Sequence, residues 1–173
     1  ERKRRVNTQE LSSNNRHGGD YLFTLSSSKW YSQNMKKVII CGSISVANEI
    51  LKTKTILENK GFEVEIPEGV KHLDQWEGTG AAVLEKADRK IKHNLIRGYY
   101  EQMKEYDIVL IVNPEKKGIS GYIGGNTLIE MAFAHVLNKP LYVLYGLPDM
   151  PYSSEILALQ PIVLNGDLEE LVE

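Results

Sequence analysis

Cysteine occurs once in 173 residues, at Cys41. A single thiol excludes an intramolecular disulfide and a cysteine-based metal cluster, and nothing in it points to secretion, so a reducing cytoplasm is the expected compartment. Long apolar runs are missing too: none reaches the roughly eighteen residues that would cross a bilayer, and the opening residues show no basic n-region followed by an apolar h-region. The phosphate-cradling patterns GxGxxG and GxxxxGKS/T are absent, which removes sequence support for dinucleotide-binding and P-loop readings. Net charge is only −2 at pH 7 and is unevenly spread, because residues 1–34 hold six Lys and Arg against three Asp and Glu. The remaining body is therefore acidic, which argues against a nucleic-acid groove.

What is present centres on Gly118 to Lys139, GISGYIGGNTLIEMAFAHVLNK. Gly118, Gly121, Gly124 and Gly125 allow a backbone that approaches a ligand closely. The preceding YDIVLIVN reads as a buried strand, and the following segment places Ile129, Ala132, Phe133, Val136 and Leu137 at helical spacing. A loop between such a strand and helix lies at the carboxyl edge of an open α/β sheet, where ligands bind. Asn113, Tyr122, Gly124 and Gly125 are expected there, with Glu130 facing the crevice.

Around this stretch the chain alternates strands and helices. KVIIC (Lys37–Cys41) has the pattern of a central parallel strand, and Gly42-Ser43-Ile44-Ser45 turns into a helix from about Val46 to Lys60 that stops at Gly61. Ser43 and Ser45 stand where free N–H groups can hold a phosphate or carboxylate, or where serine simply caps the helix. Phe62–Ile66 is a second strand, and the connection from Gly69 to Gly80 carries His72, Asp74, Trp76 and Glu77. Ala81 to Tyr106 reads as one long helix with Leu84, Ala87, Ile91, Leu95, Tyr99 and Met103 in a stripe. At 1.5 Å per residue its length returns His93 and Asn94 to the level of Asn113, and Asp107 falls at the opposite edge as a boundary residue. Pro140–Tyr145 and Pro161–Leu164 supply strands four and five, with a short helix from about Ser154 to Leu159 between them. The expectation is a three-layer, flavodoxin-like or Rossmann-like α/β sandwich over residues 35–173, its five parallel strands ordered 2-1-3-4-5. Residues 1–34 read as a polar leader, either an upstream remnant, since Met35 directly precedes the first strand, or a tail anchored by Tyr21, Phe23, Trp30 and Tyr31.

Glu130 sits among apolar neighbours in LIEMAFA with Asn126 one turn earlier. The pair reads either as a capped helix with a dipole-favoured carboxylate or as a carboxylate held to attack a sugar carbon. Such chemistry also needs a group to protonate the leaving atom, for which Glu68, His72, Asp74, His93 and Tyr122 are the candidates.

CGSIS after strand one, YDIVLIVN, and GYIGGNTLIEMAFAHVLNKPLYVL together resemble the nucleoside 2-deoxyribosyltransferase family and its relatives that hydrolyse the N-glycosidic bond of nucleoside 5′-monophosphates, over roughly residues 36–165. The resemblance implies a five-stranded sheet, Glu130 as the nucleophile that takes the sugar, and Gly42, Ser43, Ile44 and Ser45 at the sugar or its phosphate. It also implies subunits paired so that a neighbour helps close the site. Tyr99 and Gly124 stand where the family spacing has other residues, an aspartate at the first and often Asp or Ser at the second; Asn94 is the candidate for the displaced helix position, although an amide cannot shuttle a proton. A looser similarity of GGNTLIE is to the phosphoribohydrolases that activate cytokinin ribotides, one residue short in spacing. The expected function is cleavage or transfer of N-glycosidic bonds with Glu130, Asn94 and Asn126 as the catalytic set. Gly42, Ser43, Ile44, Ser45, His93, Asn113, Tyr122, Gly124 and Gly125 bind substrate, without metal or cofactor, in a homodimer or higher homo-oligomer. The alternatives are a catalytically silent nucleotide sensor on the same fold and, more remotely, an electron carrier that would copurify yellow with FMN.

Overall fold

Strands β1 (Lys37–Gly42) and β3 (Ile108–Val112) are almost uninterrupted apolar, β-branched runs. Such runs are stable as strands only where both faces of a sheet are covered, which is the parallel arrangement. They pair in parallel from Val38 opposite Ile108 to Gly42 opposite Val112. In this computed structural model, which describes residues 35–72 and 83–171, β2 (Glu63–Glu65) flanks β1, while β4 (Leu141–Val143) and β5 (Ile162–Val163) continue beyond β3. The sheet is wholly parallel, in the order β2-β1-β3-β4-β5. The described residues fall in one compact unit, Met35–Glu173.

Side-chain alternation splits the core into two layers. Val38 and Ile40 of β1 and Leu110 and Val112 of β3 face helix α1 (Ala47–Asn59), meeting Ile50 and Leu57. Ile39, Cys41, Val109 and Ile111 face the other way, onto Met103, Met131, Ala134 and Ile156. Those four residues come from α4 (Leu95–Met103), α5 (Gly125–Val136) and α6 (Ser153–Ala158). At roughly 1.5–3 kcal/mol for each large aliphatic side chain removed from water, this double coverage holds the sheet. Asp107 accepts the Lys37 N–H at 2.8 Å and marks the strand boundary away from the crevice. The short α2 (Glu68–Lys71) follows β2.

The long helix is broken, contrary to expectation. It is two helices, α3 (Val83–Lys92) and α4, separated by Asn94 in the left-handed conformation at φ 48°. Asparagine tolerates that geometry better than most residues with a Cβ, and Gly98 N–H donates to Asn94 O at 2.8 Å to start the next turn. The break also splits the apolar stripe. Met103 is fully buried, whereas Leu84 and Ile91 are 76% and 75% exposed, so the first half of the stripe is not core. Among the described residues, no helix is long and apolar enough to cross a membrane. Residues 1–34 and Asp74, Trp76 and Glu77, singled out above, lie outside the described residues.

Candidate functional site

β1 hands the chain to α1 on one face of the sheet, and β3 hands it to α5 on the other. Their carboxyl ends therefore part, and the crevice between them is the topological switch point. Gly42 closes β1 because a Cβ there would lie 2.9 Å from Val112 O. Beyond it, Ser43 Oγ and Ser45 Oγ are 2.9 Å apart, and Ile44 begins a 3-10 turn over Ile44–Val46. Lys116 crosses from the β3–α5 loop and donates from Nζ to Ser43 Oγ at 3.0 Å, while its ammonium stands 5.4 Å from the centre of the Tyr122 ring. Burial, aided by Lys117, lowers the Lys116 pKa from its ordinary value.

Asn113 is placed under the loop rather than at its surface. Its Nδ2 donates to Gly121 O and Gly146 O, both at 3.0 Å, and its Oδ1 accepts Tyr145 N–H at 3.0 Å. Being 1% exposed with three hydrogen bonds made internally, it joins the ends of β3 and β4 to the glycine loop. Gly121 has φ +65°, and a Cβ there would sit 2.0 Å from Gly146 O, so this crossing of two backbones requires glycine. Gly124 is the N-cap of α5 and Gly125 its first residue.

Glu130 lies in the second turn of α5. The residue as a whole is half-buried, yet its Oε2 is closed off from solvent with no partner among the described residues. The groups that act on its carboxyl are the Lys90 ammonium and the thiol of Cys41, the latter a fully buried β1 residue that points to the α5 face. Tyr99 from α4 completes the group: its hydroxyl donates to Ile40 O at 3.0 Å and lies 3.5 Å from Cys41 Sγ. Burial pushes Glu130 up to about 8, and the Cys41 thiol and the Lys90 charge only partly oppose it. Cys41 is raised well above the ordinary thiol range, first by burial and then by the Glu130 charge. Tyr99 is likewise raised by burial, then by Cys41 and Glu130.

Asn126 is exposed and accepts Lys90 Nζ at 2.7 Å, so α3 is tied to the start of α5 beside Glu130. His93 and Asn94 are exposed at the α3–α4 break. Asn94 lines an open groove of about 390 Å³ with Ile96, Arg97, Tyr100 and Phe133, and Glu130 is not among its lining residues. Of the proton-donor candidates that are described, Glu68 and His72 hydrogen-bond each other at 2.8 Å at the surface. Among the described residues, no three His, Cys, Asp or Glu side chains are grouped to hold a metal ion.

The structure thus brings Ser43, Ser45 and Tyr122 together through Lys116 and groups Glu130 with Cys41, Tyr99 and Lys90. It does not join Asn94 to Glu130. Sequence reasoning missed Cys41, and its signal was available: two residues beyond Ile39 in an alternating strand, it had to face the helix that carries Glu130. No family model matches the chain, and neither the curated proteins nor the solved structures contain a match to it.

Proposed function

We propose that the chain acts on the N-glycosidic bond of nucleosides or nucleoside 5′-monophosphates, with Glu130 as nucleophile. The observation that carries this reading is a carboxyl closed off at Oε2, with that oxygen unpartnered among the described residues, set on the helix that follows a glycine loop at the sheet's switch point. A buried carboxylate with so few donors is costly to ionise and correspondingly reactive once ionised. In the first step a Glu130 oxygen bonds to C1′ while the C1′–N bond breaks, and its electron pair leaves with the base, which takes a proton from solvent or a donor in the crevice. Water or a second base then attacks C1′, gives up a proton, and restores the Glu130 carboxylate. A transferase and a hydrolase differ only in that acceptor.

Ser43, Ser45 and Lys116 supply hydroxyls and a cation where the resemblance expects the sugar or its phosphate. A monophosphate substrate would use Lys116 in place of its present Ser43 contact. The exposed apolar residues Leu84 and Ile91, seven apart on one face of α3, support a second copy packing against this helix. A silent nucleotide sensor is the second reading, favoured by one observation: the titratable groups placed on Glu130 by described residues are Cys41, Tyr99 and Lys90, with no second carboxylate among them.

The test is chromatographic detection of free base after incubation with ribo- and deoxyribonucleosides and their 5′-monophosphates, with and without a second base. Release without acceptor identifies a hydrolase, and a new nucleoside formed only with acceptor identifies a transferase. Ligand binding by calorimetry without release from any substrate refutes the enzyme and leaves the sensor.

A further inference from the structure

Lys37, Lys54, Lys60, Lys71 and Lys104 each pair with a glutamate. Lys116 is placed differently. It is part-buried, its Nζ donates to a neutral hydroxyl, Ser43 Oγ, at 3.0 Å, and the charged group acting on it is a second cation, Lys117. Its backbone is fixed: Lys116 and Ile119 exchange both N–H···O bonds at 3.1 Å. Lys117 and Gly118 between them have φ 55° and 74°, the two-residue turn that closes a tight hairpin. That hairpin delivers one ammonium to the turn after β1, with the centre of the Tyr122 ring 5.4 Å away.

Helix capping does not account for the serines it meets. Neither Ser43, the N-cap of the 3-10 turn, nor Val46, the N-cap of α1, makes a side-chain capping bond. Ser43 Oγ instead accepts from Lys116 and lies 2.9 Å from Ser45 Oγ. A hydroxyl has one proton to give, so whichever serine donates to the other, one O–H has no acceptor among the described residues. The group is a cation with surplus donors and no carboxylate. We infer that Lys116, with Ser43 and Ser45, binds a phosphate monoester, and that through this lysine the chain tells a nucleoside 5′-monophosphate from its nucleoside. The nucleoside part of that ligand rests on the glycosidic reading above, whereas the anion site does not. A phosphate monoester carries close to two negative charges at pH 7 and three acceptor oxygens, to set against one ammonium and two hydroxyls. One oxygen takes the Lys116 N–H that Ser43 now accepts, and the two hydroxyls turn to donate to the others. Lys116 gives up an uncharged partner for a charge-assisted bond.

The experiment is calorimetric titration of the full chain with ribo- and deoxyribonucleosides, their 5′-monophosphates and inorganic phosphate. It compares wild type with Lys116→Met, Lys116→Arg, Ser43→Ala and Lys117→Met, each shown to be folded by thermal melts. Wild type binds a monophosphate about tenfold or more tighter than its nucleoside, the scale of one hydrogen bond to a charged group. Lys116→Met abolishes that preference without weakening the nucleoside, and Lys116→Arg keeps part of it. Ser43→Ala reduces it about fivefold, and Lys117→Met less than threefold. Equal affinity for monophosphate and nucleoside in wild type, or a preference that survives Lys116→Met, overturns the inference. Binding of inorganic phosphate without the monophosphate, or of none of the probes, overturns it too. In the base-release assay Lys116→Met raises KM for the monophosphate about tenfold with kcat little changed. Binding needs no turnover: a preference that depends on Lys116 without base release upholds the anion site and sinks the glycosidic function, while base release without that preference does the reverse.

Discussion

Glu130 should make the folded protein less stable as pH rises, and replacing it by glutamine should remove that loss. In the unfolded chain the carboxyl ionises near its ordinary value of 4.5, whereas in the fold burial holds its proton to about 8. Between these values the folded state binds a proton that the unfolded state has released, so stability falls across this window. Below pH 4.5 both states are protonated and the penalty vanishes. At about 1.36 kcal/mol per pH unit, the cost reaches roughly 3 kcal/mol at pH 7 and levels off near 5 kcal/mol above pH 8. Glutamine has the shape of the protonated acid and does not titrate. Urea denaturation at pH 4.5, 6, 7 and 8.5 should therefore show Glu130→Gln close to wild type at the acid end and progressively more stable towards pH 8.5, with similar m-values. A stability difference that stays constant across this range would refute the reasoning, since Glu130 would then titrate alike in both states.

Asn113→Ala should destabilise by about 3 kcal/mol, because it removes three hydrogen bonds at a fully buried site and leaves two carbonyls and an N–H without their partner; a loss under 1 kcal/mol in urea titration would contradict its place under the loop. Gly121→Ala should cost at least as much, roughly 3 kcal/mol or more, from the collision with Gly146 O and the positive φ, whereas Gly118→Ala has φ +74° but open space and should cost only about 1 kcal/mol. If a second copy packs on α3 as proposed, Ile91→Asp on its exposed face should leave the melting temperature nearly unchanged and shift light-scattering mass towards monomer; an unchanged mass would refute that packing. Base release in wild type should rise with pH through about 8 as Glu130 ionises, and a rate that is flat from pH 6 to 9 would detach the chemistry from that carboxyl.

The fold was legible where the sequence pattern had one physical solution. KVIIC and YDIVLIVN contain no polar face to expose, so they had to be central parallel strands, and the helix-length segments between strands then limited the topology. The helix break was not legible, because Leu84, Ile91, Leu95, Tyr99 and Met103 keep helical spacing across it and Asn94 is compatible with helix or left-handed turn alike. Only the tertiary placement of α4 against β1 distinguishes them. Glu130 stood out from its apolar neighbours, but the groups that act on it come from β1, α3 and α4, and Asn94, chosen from the resemblance and from its distance to Asp107 along the helix, is the N-cap of α4 and lines a groove that Glu130 does not line. Lys116 belongs to the same class of residue: a loop lysine carries no periodic signal, and its contact with Ser43 follows from the adjacency of β1 and β3.

We propose that Glu130 takes the sugar at C1′. That step is tested most directly by intact-protein mass spectrometry after mixing with a 2′-fluoro nucleoside or its 5′-monophosphate, in which the fluorine slows release of the sugar more than its capture. One added sugar or sugar-phosphate per chain is expected, mapped by proteolysis to the peptide holding Glu130 and absent from Glu130→Gln. An adduct on another residue, or base release undiminished in Glu130→Gln, would contradict it.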